Sequence, residues 1–205
     1  TDAGRALATG CDTALEALEH AVGQMPNRSA VVAGTVNLAC GSSFGGWILP
    51  GLYATFHEEH PAVELRVSTH QRPELLEVVH KETPDLAVLL QPIAAPRMEM
   101  RPLGCHMDIV LVAPPGHPWA APTPVPFAAL AERPLVLSGH PSIQRTAIEA
   151  KAAELGVRLQ VGWEVSNPDG RVHAALSGLG IALVSRDAAQ QALSGGRLVE
   201  LNVEG

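Results

Sequence analysis

Between Thr35 and Pro50 the chain reads TVNLACGSSFGGWILP, and this stretch narrows the choice of fold more than any other. Val36 to Ala39 form a short apolar strand, Gly41, Ser42 and Ser43 a small polar loop, and a helix follows from Gly45 or Gly46. A strand that feeds a helix through Gly and Ser leaves the first helical N–H groups unpaired, with the positive end of the helix dipole above the strand's carboxyl end. Such a junction receives an anion or carboxylate. Read without a ligand, the same residues are a helix cap supplied by Ser42 and Ser43.

The pattern repeats downstream. Glu59-His60-Pro61 ends the first helix, and VELRV (Val63 to Val67) alternates as a half-buried strand with Ser68, Thr69 and His70 after it. Pro73 to Lys81 is an amphipathic helix with Leu75, Leu76, Val78 and Val79 inward, and Asp85 to Leu90 a continuous apolar strand of the buried parallel kind. In this βαβαβ order right-handed crossovers bring the strand carboxyl ends to one edge, so Ser42, Ser43, Thr69, His70 and Gln91 are expected to line one crevice. Met98 to Leu103 and Asp108 to Ala113 read as further strands, the latter closed by the rigid turn Pro114 to Trp119. A second α/β unit follows: helix Phe127 to Ala131, strand Leu135 to Leu137, helix Ile143 to Leu155, strand Leu159 to Val165, helix Asp169 to Ser177 and strand Ile181 to Ser185. Two α/β lobes joined by a crossover near Cys105 to Met107 imply a cleft, the usual place for a small ligand. The loops of the second lobe offer Ser138, His140, Ser142, Ser166 and Asn167, while Arg145 is read as part of a solvated helix face.

Ahead of all this, Thr1 to Met25 carries Leu7, Cys11, Leu15, Leu18, Val22 and Met25 three or four apart, a narrow stripe read as a dimerising helix that Pro26 stops. Asn27 to Ala30 is a polar hinge and a domain boundary. With a net charge of -7 and scattered Lys and Arg, the stretch is not built to hold nucleic acid by itself. Cys11, Cys40 and Cys105 fit neither a disulfide framework nor a zinc site and are expected to be reduced in a cytoplasmic protein. No apolar run reaches the roughly 20 residues of a membrane span, and no signal peptide opens the sequence.

Three local motifs compete with a binding role. Gly41-x-Ser43-x-Gly45 matches a hydrolase nucleophile elbow, with His140 or His173 available as a later base. Against it, that fold needs several strands before the elbow. His57 and His60 are spaced i, i+3 rather than the i, i+4 of a zincin helix, so no metal is assigned. Gly178-Leu-Gly180 leads into a strand instead of following one and reads as a tight helix-to-strand turn.

Taken in order, Gly34 to Ala39, ILPGLYATFHEEHPAVEL (Ile48 to Leu65), PDLAVL (Pro84 to Leu89), VLVAPPGHPWA (Val110 to Ala120), GLGIALVSR (Gly178 to Arg186) and GRLVEL (Gly196 to Leu201) resemble the effector-binding region of LysR-type transcriptional regulators. TDAGRAL (Thr1 to Leu7) is similar to the end of that family's winged helix-turn-helix where it enters the linker helix. The resemblance implies an α/β fold of two Rossmann-like lobes of the periplasmic-binding-protein type II kind. A linker helix (1–25) would precede lobe I (31–106) and lobe II (107–205). It implies a small-molecule effector in the cleft, held at Ser42, Ser43, Thr69 and His70 and, from lobe II, at Ser138, Ser142, Ser166 and Asn167. A small carboxylate or oxyanion is favoured, with no cofactor and no catalytic residue. It also implies a homodimer or homotetramer that meets operator DNA only through a domain not in this sequence. The family usually has one more strand and helix returning to lobe I, so an apolar edge is expected there, open or filled by a partner. Lys81-Glu-Thr-Pro84 replaces a Gly-containing turn without touching the expected site. The rival readings are a serine hydrolase using Ser43 and a solute-binding receptor.

Overall fold

Alternation along one strand organises the first half of the molecule. In β1 (Gly34–Gly41), Leu38 and Cys40 point to one face and pack on Leu49, Phe44, Leu65 and Val88, while Ala39 points to the other and meets Leu75 and Val79. A strand covered on both faces must be central, and the sheet order is β2-β1-β3, all parallel. The structure, a computed structural model, describes residues 32–81, 84–93, 98–104, 106–121 and 123–204. The expected linker helix, the hinge, Cys11 and Cys105 lie outside the described residues.

Helix α1 (Leu49–Glu59) follows β1 through a π-helical turn, Phe44–Ile48. Strand β2 (Val63–His70) runs beside β1 over its full length, from Gly34 opposite Val63 to Gly41 opposite His70. Ser68, Thr69 and His70 are therefore strand residues and not the loop expected after Val67. Helix α2 (Arg72–Lys81) returns the chain to β3 (Leu86–Val88) on the other side of β1. The expected buried strand from Asp85 to Leu90 is shorter and more open than its apolar sequence suggests, with Leu86 54% exposed. Its only strand neighbour is β1, so apolar composition alone overstated its burial. Asp85 is held outside the ladder, accepting hydrogen bonds from the Asn37 backbone N–H (2.8 Å) and side-chain amide (3.0 Å). No strand forms from Met98 to Leu103, where Pro102 removes a ladder donor and Met100 and Leu103 are exposed.

The second sheet has the order β7-β6-β8-β4-β9. Strands β6 (Pro134–Leu137), β7 (Gln160–Glu164) and β8 (Ile181–Ser185) are parallel, whereas β4 (Ile109–Ala113) runs antiparallel to both β8 and β9 (Val199–Glu200). Period-two alternation again makes two cores. Val110, Val112, Val136, Ala182 and Val184 face helices α4 (Pro168–Leu176) and α5 (Arg186–Ser194) through Val172, Ala175, Ala188 and Ala189. Leu111, Leu135, Leu137, Ile181 and Leu183 face helix α3 (Ile143–Glu154) and the 3-10 turn Phe127–Glu132 through Ile148, Ala152 and Leu130. A short parallel pair, β5 (Val125–Pro126) with β10 (Val203–Glu204), lies beside this core.

Two glycines are demanded by close approach in this sheet. Gly180 has φ +155°, and a Cβ there would lie 2.5 Å from the Pro134 carbonyl oxygen. The turn read from Gly178-Leu-Gly180 is thus a backbone contact point. In edge strand β7, the ladder to β6 slips by one residue: Leu135 pairs with Val161 and Val136 with Trp163, leaving Gly162 as the extra residue of a bulge. A Cβ on Gly162 would meet the Pro134 ring at 2.7 Å.

Candidate functional site

Parallel pairing places the first group of expected residues together. Gly41 and His70 are register partners at the carboxyl ends of β1 and β2, and Cys40 is opposite both Thr69 and Val88. Gln91 follows β3 by three residues and is exposed. Ser42 and Ser43 differ from expectation: instead of a loop, they are already helical. Ser43 has φ -64° and ψ -44° and makes no side-chain capping bond, so neither the loop nor the cap reading describes it. The π turn then docks on the end of β2, with Gly45 so close that a Cβ would lie 2.5 Å from the Thr69 methyl and 2.9 Å from Cys40 Sγ. Burial pushes the Cys40 thiol up from its ordinary value, keeping it a protonated packing group. At the same edge His70 Nε2 is buried without a hydrogen-bond partner.

This geometry also disposes of the elbow reading. A nucleophile elbow is a strained turn, whereas Ser43 has ordinary helical angles and Gly45 is explained by packing. His140 is engaged elsewhere, its Nε2 3.1 Å from a Glu149 carboxylate oxygen. On α1, His57 and His60 lie against aromatic rings, His57 against Tyr53 at 5.5 Å and His60 against Phe56 at 4.8 Å. Among the described residues no cluster of His, Cys, Asp or Glu is placed to hold a metal ion.

The second sheet assembles a denser polar group. Ser138, the residue after β6, is buried, and its hydroxyl donates to Ser142 Oγ at 2.7 Å. Ser142 Oγ in turn accepts the Arg145 N–H and caps α3. Arg145 corrects the solvated-face reading: its side chain is only 11% exposed. Nε donates to Glu149 at 2.8 Å, and one terminal nitrogen donates to the Ser138 carbonyl at 2.9 Å and to the Glu164 carboxylate. Burial by itself would lower the guanidinium pKa, but the hydrogen bonds to Glu149 and Glu164 outweigh it and raise the value. The cation is therefore already matched by two carboxylates. The i, i+4 spacing of Arg145 and Glu149 was the available signal.

Ser166 and Asn167 serve the backbone. The Asn167 side chain accepts the Gly170 N–H and caps α4. The Ser166 carbonyl accepts from Arg171, which is 3% exposed and also donates to the carbonyls of Val165 (2.9 to 3.0 Å for the two) and Leu183 (3.0 Å). Burial lowers the Arg171 pKa. Nothing in the apolar run around Arg171 announced a buried cation.

With two strand-end edges on the page, similarity to known proteins can be weighed. A sequence model of the family described as LysR substrate binding domain matches residues 29–205. The chain belongs to this family. Among relatives of the LysR substrate binding domain described here, the RuBisCO operon transcriptional regulator of Allochromatium vinosum is 28% identical over the whole of this chain and 67% of its own length. The HTH-type transcriptional regulator CbbR of Sinorhizobium medicae is 27% identical over 96% of this chain and 61% of its own. The domain thus spans about two-thirds or less of the length of these relatives. In three dimensions it is similar to the Synechocystis PCC6803 CcmR regulatory domain in complex with 2-PG (TM-score 0.70, 18% identity, 83% of this chain and 81% of the other). It is equally similar to the effector binding domain of QuiR in complex with shikimate (TM-score 0.70, 19% identity, 84% and 81%). At these identities the likeness shows the fold alone, the periplasmic-binding-protein-like α/β arrangement of LysR regulatory domains.

Proposed function

We propose that this LysR substrate binding domain is the sensor of a transcription regulator, and that a small carboxylate or oxyanion binds between lobe I (31–106) and lobe II (107–205). The observation that carries the reading is the edge where β1 and β2 end. The start of a helix, two serine hydroxyls free of capping bonds and the partnerless His70 Nε2 converge there. Unpaired N–H groups at a helix start favour an oxygen anion, and a buried ring nitrogen without a partner gains a hydrogen bond from a ligand. The complexes of CcmR with 2-PG and of QuiR with shikimate support a small-molecule effector. From lobe II, Ser138 and Ser142 contribute hydroxyls, and Ser166 and Asn167 act through backbone placement.

No residue is assigned a catalytic role. The effector acts by differential affinity for two arrangements of the lobes or of subunits in a homodimer or homotetramer. Operator DNA is contacted through a part of the protein outside this sequence, and the protein works in the cytoplasm.

A thermal-shift screen against small carboxylates and oxyanions, run in parallel with Ser43→Ala and with an ester-hydrolysis assay, tests the proposal. A ligand at about 100 times its Kd adds roughly 2.7 kcal/mol of stability. Stabilisation that weakens in Ser43→Ala without turnover is the expected result. Turnover abolished by Ser43→Ala would overturn it.

A further inference from the structure

Among the described residues two buried side-chain polar atoms have no hydrogen-bond partner: His70 Nε2, at the first strand edge, and Ser185 Oγ, at the second. Ser185 is the last residue of β8 and is completely buried. It stands at the N-cap of α5, a nine-residue helix, yet makes no side-chain capping bond. Its surroundings make this unusual. A serine at an N-cap ordinarily turns its oxygen onto the helix N–H groups, and a buried hydroxyl left unpaired costs stability.

The topology says where this hydroxyl sits. Strands β6 and β8 are parallel neighbours, with Val136 opposite Ala182, so Ser138 and Ser185 are at the same end of the pair. From β6 the chain leaves through α3 to β7 on one flank, and from β8 through α5 to β9 on the other. Adjacent parallel strands whose connections diverge leave a crevice at their carboxyl ends. Helix α5 also contacts the π turn Phe44–Ile48, the element that carries the first edge toward the second. Ser138 has already given its hydroxyl to Ser142, whereas Ser185 retains its own.

We infer that Ser185 is an effector-contacting residue, and that it reads an uncharged oxygen of the ligand, the hydroxyl or carbonyl of a hydroxy or oxo acid. The inference rests on the proposed binding of a carboxylate at Ser42, Ser43 and His70. Charge decides the class. Around Ser185 stand Asp187 in the first turn of α5 and Arg186, which is matched by Glu200 and Asp108. Arg145, the other cation near this edge, is matched by Glu149 and Glu164, and Arg171 is spent on backbone carbonyls. A second anionic group would find no free cation here, but a hydroxyl or carbonyl would find a hydroxyl able to donate or accept.

The test uses Ser185→Ala and the probes glycerate, shikimate and quinate, with succinate as the dianionic control, followed by calorimetric titration of whichever hydroxy acid stabilises the wild type. Because the hydroxyl is unpaired without ligand, Ser185→Ala is expected to melt at or above the wild-type temperature while binding the hydroxy acid about tenfold more weakly. Succinate binding, if any, is expected to be weaker than that of the hydroxy acid and unchanged by the substitution. Lower melting of the free variant with unchanged affinity would make Ser185 a structural cap and overturn the inference while leaving the carboxylate site intact. Succinate binding more tightly than every hydroxy acid would overturn the assigned ligand class. Failure of all four probes to stabilise the wild type would overturn the carboxylate site, and the inference with it.

Discussion

Replacing Arg171 with Met keeps the apolar stem and removes every donor. In the wild type those donors reach the carbonyls of Leu183, Val165 and Ser166, with a longer contact of 3.5 Å to the Gln144 side chain. A buried acceptor stripped of its partner costs roughly 1 to 3 kcal/mol. Leu183 lies in a fully buried strand and bears that cost in full, whereas Val165 and Ser166 are close enough to solvent to recover part of theirs from water. The sum is a loss of about 2 to 4 kcal/mol, partly offset by no longer burying a charge. Urea unfolding at neutral pH, with the m-value held unchanged, measures it directly. Hydrogen exchange should place the loss at 164–171, where the strand β7 hands over to α4. Arg171→Lys, with one nitrogen for three acceptors, should recover less than half. A loss below about 1 kcal/mol for Arg171→Met would refute the claim that this cation is the fastener of the loop.

Gly45→Ala must displace the π turn from the Thr69 methyl and Cys40 Sγ; an overpacking cost of about 1 to 3 kcal/mol is expected in denaturant unfolding, and near-neutrality would show that the turn is free to shift. The hydrogen bonds from the Asn37 backbone and side chain hold the Asp85 carboxyl below its usual range. A depressed folded pKa gives stability that is present above the unfolded value and lost as pH falls through the folded one. Wild type should therefore exceed Asp85→Asn at pH 7, with the difference closing below about pH 4 in acid titrations of unfolding; parallel curves would contradict it.

The βαβαβ order and the second α/β unit were legible because alternation and helical spacing report local burial, and β1, β2, α2, α3, α4 and β8 begin and end within a few residues of where their patterns do. What failed was anything that depends on the neighbour. Apolar composition cannot tell an edge strand from a central one, so Leu86 was expected inside, and Met98 to Leu103 was expected to pair. Ser42 and Ser43 were found at the right junction but in the wrong conformation, since the close fit of Gly45 on β2 draws the helix back to the strand's last residue. At the second edge Ser138 and Ser142 were visible as loop serines. Arg145 and Ser185 were not, because whether a charge or hydroxyl is matched is a property of packing across the sheet.

The slipped register at Gly162 has a consequence for solution behaviour. Every residue of β7 is exposed, and Val161 and Trp163 present large apolar surface on an outer strand, a combination that invites sheet-to-sheet accretion between molecules. The extra residue breaks the even spacing of outward N–H and C=O groups that an incoming strand would have to match. The sheet ends there by misfit instead of by charge, so the domain can carry an apolar border and still be kept from polymerising through it.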